Sequence, residues 1–166
     1  MKIGLLRGLK DIKENISFNL ETPISEIAAV IKDKSIGAVP IIDDQNKLIG
    51  IVSERDIVTK MVVEARDADL TTAQEIMTKE IVSANLDDDL EQTIGVMKSK
   101  NIRHMPVTDS DGKLTDFFSI RDFLNAEIKS NQKATLITFV TIGRQKFTLS
   151  NNSPLSLKVL FWRPYY

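Results

Sequence analysis

The stretch GIVSERDIV at residues 50–58 returns as DFFSIRDFL at residues 116–124, so the chain writes S-x-R-D twice, 66 residues apart. A serine followed three residues later by an acid is an ordinary helix start. The hydroxyl accepts from the third helical amide, and the acid accepts in return from the serine's own N–H. One copy would need no further explanation, but the second sits inside a longer echo. Sliding the sequence by 66 aligns residues 13–58 with 79–124 without a gap, and 16 of those 46 positions are identical. Chance would give about three, so duplication of one structural unit is the economical explanation. Ser17 meets Ser83, Leu20 meets Leu86, Ile36 meets Ile102, Pro40 meets Pro106 and Leu48 meets Leu114.

Each unit reads alike from local signals. A short β-like step (NISF, IVSA) precedes an amphipathic helix. In the first copy Thr22 is expected to cap, with Pro23 at the first helical position and Ile24, Ile27, Val30 and Ile31 forming the buried stripe. Leu90, Ile94 and Met97 form the matching stripe. Two apolar runs follow in each copy, AVPII and LIGIV, then HMPV and LTDFF, joined by the turns DDQN and DSDG. A closing helix then starts at Ser53 or Ser119. The predicted order is β-α-β-β-α, twice, an α+β fold, with a short helix around Ala73–Met77 in the link between copies. Neither half is large enough to close a core alone, so the two sheets are expected to pack on each other with pseudo-twofold symmetry. The chain divides into residues 1–64, the first repeat with its N-terminal segment, residues 65–128, the linker helix and second repeat, and a tail at 129–166.

Composition narrows the function. The chain has 166 residues, no cysteine and a single histidine, His104, which excludes disulfide frameworks, Cys/His zinc sites and thiol nucleophiles. No apolar run is long enough to span a bilayer, and the opening MKIGLLRGLKDIKEN is too short in apolar residues for a secretory signal, so a cytoplasmic protein is expected. All 23 acidic residues lie at or before Glu127, against 16 basic ones there, a balance that argues against nucleic acid. No phosphate-cradling glycine loop is present, and neither Ser53 nor Ser119 has a histidine beside it in sequence, so catalysis is not expected. The run Asp87-Asp88-Asp89 could suggest a metal, but acids opening the helix that follows account for it.

The segments IGAVPIIDDQNKLIGIVSERDIV and IRHMPVTDSDGKLTDFFSIRDFL, in this order and spacing, resemble the CBS domain pair, also called a Bateman module, over about residues 13–128. The resemblance implies a stand-alone regulatory module that binds AMP, ADP, ATP, NAD or S-adenosylmethionine in one or both clefts, needs no metal, assembles as a homodimer and signals to an unidentified regulated protein. The residues fit such a ligand. Ser53 and Ser119 stand where strand gives way to helix, at free N–H groups and a positive dipole end that favour phosphate. Arg55 and Arg121 add a charged fork near the same anion. Asp56 and Asp122 can accept both hydroxyls of a ribose. Gly37, Ala38 and Val39 before Pro40, and Arg103, His104 and Met105 before Pro106, are expected on the base's side, where proline halts strand pairing and leaves backbone groups free. The resemblance adds Ser17, Ser83 and Ala84 on the first strands.

Two departures bear on the second cleft. Asp116 stands opposite Gly50, and Arg103 opposite Gly37, so the clefts are expected to differ in ligand or affinity, with the second reshaped. A structural dimerisation module with vestigial clefts is the alternative reading. The tail from 130 holds six of the ten aromatics and no acid, with β-prone runs TLITFVTIG, KFTLS and LSLKVLFW. It reads as an added β-ribbon, a basic surface, or sequence foreign to the module.

Overall fold

The 66-residue offset of the sequence is also the offset of the structure, a computed structural model that describes residues 1–8 and 16–129. The expected β-prone tail lies outside these residues. In the first repeat α1 (Ile24–Lys34) leads to the antiparallel hairpin β1 (Ala38–Ile42) and β2 (Leu48–Ser53), then to α2 (Glu54–Asp56), which runs into a π-helical turn over Ile57–Val62. After a link carrying α3 (Ala73–Ile76), the second repeat gives α4 (Leu90–Ser99), β3 (His104–Thr108), β4 (Leu114–Ser119) and α5 over residues 120–129. Pairing runs Ala38 to Ser53 in one hairpin and His104 to Ser119 in the other, and the same irregularity falls at Ile41/Ile42 and at Val107/Thr108. Even the backbone punctuation repeats. Ser35 and Asn101 end their helices at φ 52°, and Asn46 and Gly112 turn their hairpins at φ 63° and 79°.

A twofold axis brings a residue next to its own copy. Lys47 bridges Lys113, with Leu48 N–H donating to Gly112 at 3.1 Å and Leu114 N–H donating to Asn46 at 2.9 Å. The two hairpin turns thus form one joint across the pseudo-symmetry axis.

Neither repeat closes its core with its own residues, as its size required. The linker closes the first: Ala73, Ile76 and Met77 join Ile24, Ile27, Ile31, Val39, Ile41 and Val52 in one buried cluster. The N-terminal segment crosses over to close the second. Ile3 and Leu6, on a 3-10 turn, pack with Leu90, Ile94, Met97, Val107, Phe118 and Phe123. The backbone contacts match pair by pair. Ala73 N–H donates to Thr22 and Gln74 to Leu20, as Ile3 donates to Asp88 and Gly4 to Leu86. Each half therefore depends on a segment that precedes the other. At Gly50 the fit is tight, since a Cβ there would lie 2.2 Å from Met77 Sδ and 3.1 Å from Met77 Cβ. Any larger residue there would have to push the Met77 side chain aside.

Three local expectations change. The β-like steps reduce to single parallel bridges, Phe18 to Ile41 and Ala84 to Val107. Pro40 and Pro106 do not halt pairing, because they sit inside β1 and β3 with their carbonyls accepting from Phe18 and Ala84 on the side away from the hairpin partner, where no proline N–H is needed. The cap at α1 also differs. The helix begins at Ile24 with Pro23 before it in extended geometry, and the Thr22 hydroxyl donates to Asn19 Oδ1 at 3.0 Å instead of capping.

Candidate functional site

Both S-x-R-D copies form complete capping boxes at the strand-to-helix junctions. Ser119 donates from its N–H and its hydroxyl to Asp122 Oδ2, each at 2.8 Å, and Asp122 N–H donates back to Ser119 Oγ at 3.3 Å. Ser53 and Asp56 repeat the arrangement, Ser53 N–H reaching Asp56 Oδ2 at 3.0 Å and Asp56 N–H reaching Ser53 Oγ at 3.3 Å. One of the two intervening amides in each box is taken as well, Ile120 N–H by the Arg103 carbonyl at 2.8 Å and Glu54 N–H by the Gly37 carbonyl at 3.0 Å. The helix starts are therefore not the open rows of N–H groups expected from the sequence.

Beyond the box the two acids part company. Asp56 is 9% exposed, and its second oxygen accepts from Lys60 Nζ at 2.8 Å and Thr78 Oγ1 at 3.2 Å. Burial alone would raise its pKa, but the Lys60 ammonium and the Ser53 donors outweigh that and hold it below the ordinary 3.8. Asp122 keeps its second oxygen without a hydrogen-bond partner among the described residues.

Asp122 lines a cleft of about 820 Å³ between the repeats, within the roughly 300–1,000 Å³ usual for small-molecule sites. The second repeat supplies Arg103, His104, Phe117, Ser119, Arg121 and Asp122, and the first supplies Lys34, Ile36, Gly37, Ala38 and Glu54. Ile16, Ile36, Ala38 and Phe117 give it apolar wall. Lys34, Arg103, Arg121 and Lys129 outnumber the acids Glu54 and Asp122 by four to two, although the chain as a whole carries −1. His104 stacks on Phe117, ring centroids 5.7 Å apart and planes within 3°. It also reaches the first repeat, because a Cβ on Gly37 would lie 3.0 Å from His104 Cε1 and 3.5 Å from Glu54 Oε2. Glycine at 37 thus makes room for the histidine.

Of the residues singled out from sequence, the cleft gathers Gly37, Ala38, Arg103, His104, Ser119, Arg121 and Asp122. Val39, Pro40, Met105 and Pro106 face the interior as buried strand residues. Ser53 and Asp56 form the first capping box, Arg55 is exposed, Ser17 is half-buried and Ser83 exposed, and none of these lines the cleft. Sequence reasoning missed Lys34, Glu54, Asn125, Ala126 and Lys129. The signal for Asn125, Ala126 and Lys129 was helical spacing, since positions three, four and seven beyond Asp122 share its face. Asp89 caps α4 by accepting from Glu91 N–H at 2.9 Å and from the Met1 amine at 3.0 Å, the capping use expected of that acidic run. Among the described residues no group of three His, Asp or Glu could hold a metal, and no helix is long and apolar enough to cross a membrane.

Two groups give the stability a pH dependence. Burial, then the nearby Arg103, holds His104 below 6.5, against the opposite pull of Glu54 and Asp122. Below pH 6.5 the unfolded chain binds a proton that the folded one refuses, so stability falls until the folded pKa is passed. Asp56 acts in a separate window, its stabilisation being lost as pH drops below 3.8 through its folded value. We expect urea midpoints to decline as pH falls below 6.5, and His104→Phe to flatten that decline. An equal decline in the variant would remove His104 as its source.

The sequence profile that matches this chain is that of the CBS domain, over residues 9–63 and again over 73–129. An uncharacterized protein of Methanopyrus kandleri is 32% identical over 102 residues, 61% of this chain and 52% of that protein, so the chain matches about half of that relative's length. Among solved structures, the CBS domain pair of protein MJ0100, in complex with 5′-methylthioadenosine and S-adenosyl-L-methionine, superposes with a TM-score of 0.67 at 23% identity, covering 78% of this chain and 98% of that one. CBSX2 in complex with AMP superposes with a TM-score of 0.62 at 20% identity, covering 70% and 89%.

Proposed function

Because the chain belongs to the CBS domain family, we propose that its inter-repeat cleft binds an adenosine-containing nucleotide and that the module passes this occupancy to a partner protein. The observation that carries this reading is the pairing of one carboxylate oxygen of Asp122, without a hydrogen-bond partner among the described residues, with a four-to-two excess of cations around the same cleft. A carboxylate suits the ribose diol, cations suit a phosphate, and the apolar wall suits a purine. Similar pairs that hold AMP or S-adenosylmethionine lend support. The cation excess ranks AMP, ADP, ATP and NAD above S-adenosylmethionine, which carries a sulfonium and no phosphate. On this reading the module is regulatory and not catalytic.

The test is calorimetric titration with AMP, ATP, NAD and S-adenosylmethionine. Binding of a phosphorylated member below millimolar supports the reading, and no binding by any of them leaves the structural dimerisation module with vestigial clefts. Thermal unfolding separates the two cheaply, since a ligand at 100 times its Kd should add about 2.7 kcal/mol.

We also propose the homodimer. Val58 and Val62 are 55% and 69% exposed, and their 66-residue counterparts Leu124 and Ile128 are 37% and 55% exposed, so both closing helices present a matched apolar pair. Such symmetric apolar faces are suited to a second copy. Val62→Glu with Ile128→Glu should shift sedimentation from dimer to monomer. A monomeric parent protein would dismiss the proposal.

A further inference from the structure

A carboxylate offers two oxygens and about four lone-pair sites to donors. In Asp56 all of them are spoken for. One oxygen takes the Ser53 amide and hydroxyl, and the other takes Lys60 Nζ and Thr78 Oγ1. Lys60 is further fixed by donating to the Ile76 carbonyl, so it ties the acid to the linker that closes the first core. Lys60 stands four residues beyond Asp56, on the π-helical turn. The residue four beyond Asp122 is Ala126, on a regular α-helix, and it lines the open cleft. The two donors on the second oxygen of Asp56, Lys60 Nζ and Thr78 Oγ1, have no counterpart on Asp122 among the described residues.

Resting on the reading above, we infer that Lys60 is an internal plug. Its ammonium sits on the carboxylate oxygen that a ribose hydroxyl would need, silencing the first cleft, so each chain takes one nucleotide, at Asp122. A ribose at Asp56 would have to displace both Lys60 and Thr78 from that oxygen, leaving the half-buried Lys60 ammonium with only the Ile76 carbonyl among the described residues. The asymmetry gives the module a single occupied state per chain from a duplicated fold.

Counting AMP and ATP bound per chain by calorimetry tests this. The parent protein should bind one, Asp122→Ala none, and Lys60→Ala, which installs the side chain found at 126, two. Lys60→Met keeps the apolar stem and serves if the alanine variant fails to fold. The combination Lys60→Ala with Asp122→Ala should bind one, at the opened first cleft. Two nucleotides on the parent protein, or one on a folded Lys60 variant, would overturn the inference while leaving the binding function intact. No nucleotide on the parent protein would instead remove the function on which the inference rests.

Discussion

Asp122→Ala should weaken adenosine-nucleotide binding by roughly 10- to 150-fold, the equivalent of about 1.5–3 kcal/mol for charged hydrogen bonds lost to a ligand. The effect should be this large because Asp122 lines the cleft and holds its helix start with one oxygen only, the other having no hydrogen-bond partner among the described residues. Asp122→Asn is the sharper variant. An amide can still accept from the Ser119 donors through its carbonyl oxygen, and its remaining group is a donor where the ribose needs an acceptor. We expect the asparagine variant to fold like the parent and bind nearly as poorly as the alanine variant. Calorimetry alongside urea unfolding checks both halves, and an Asp122→Asn protein that binds as tightly as the parent would take the ribose away from this carboxylate.

Phe123→Ala should cost about 3–5 kcal/mol of folding stability. The side chain is fully buried beside Phe118, with ring centroids 5.5 Å apart and tilted by 56°. It follows Asp122 directly and, with the buried Ala126, fastens α5 to the core shared with Ile3 and Leu6. Truncation removes apolar burial and an aromatic pair together, and leaves a cavity behind the wall of the cleft. Equilibrium urea unfolding of Phe123→Ala and Phe123→Leu should rank parent, leucine, alanine. A cost below about 1 kcal/mol for alanine would mean that α5 is held by something other than this packing.

The repeat was legible because duplication preserves what the backbone needs. The positive-φ turn at Asn46 and Gly112, the capping serines and acids, and the prolines inside β1 and β3 all recur at 66 residues, and the hairpins keep one register. The crossing of the N-terminal segment into the second core was not legible. Residues 1–8 and 71–78 share a role through backbone hydrogen bonds and buried apolar side chains, with no resemblance in sequence to reveal it. From Asp116 and Arg103 the two clefts are expected to differ in ligand or affinity. Asp116 is a half-buried residue of β4 paired with Val107, and Arg103 lines the cleft that also holds Asp122. On the proposed reading the two sides are separated by Lys60 against Ala126, just beyond the aligned 46 residues, and the Lys60–Ile76 and Asp56–Thr78 contacts that go with it come only with the folded linker. At the helix starts the Ile120 and Glu54 amides are taken by the Arg103 and Gly37 carbonyls, contacts that the tertiary fold brings about and the sequence does not display.

The central claim is that the inter-repeat cleft takes an adenosine nucleotide with its ribose on Asp122. A crystal structure of the protein grown with saturating AMP tests it most directly. The account predicts ribose hydroxyls within hydrogen-bonding distance of the Asp122 carboxylate, the phosphate toward Arg103 and Arg121, and Lys60 still on Asp56. AMP seated at Asp56, or a cleft that stays empty at saturation, would contradict it.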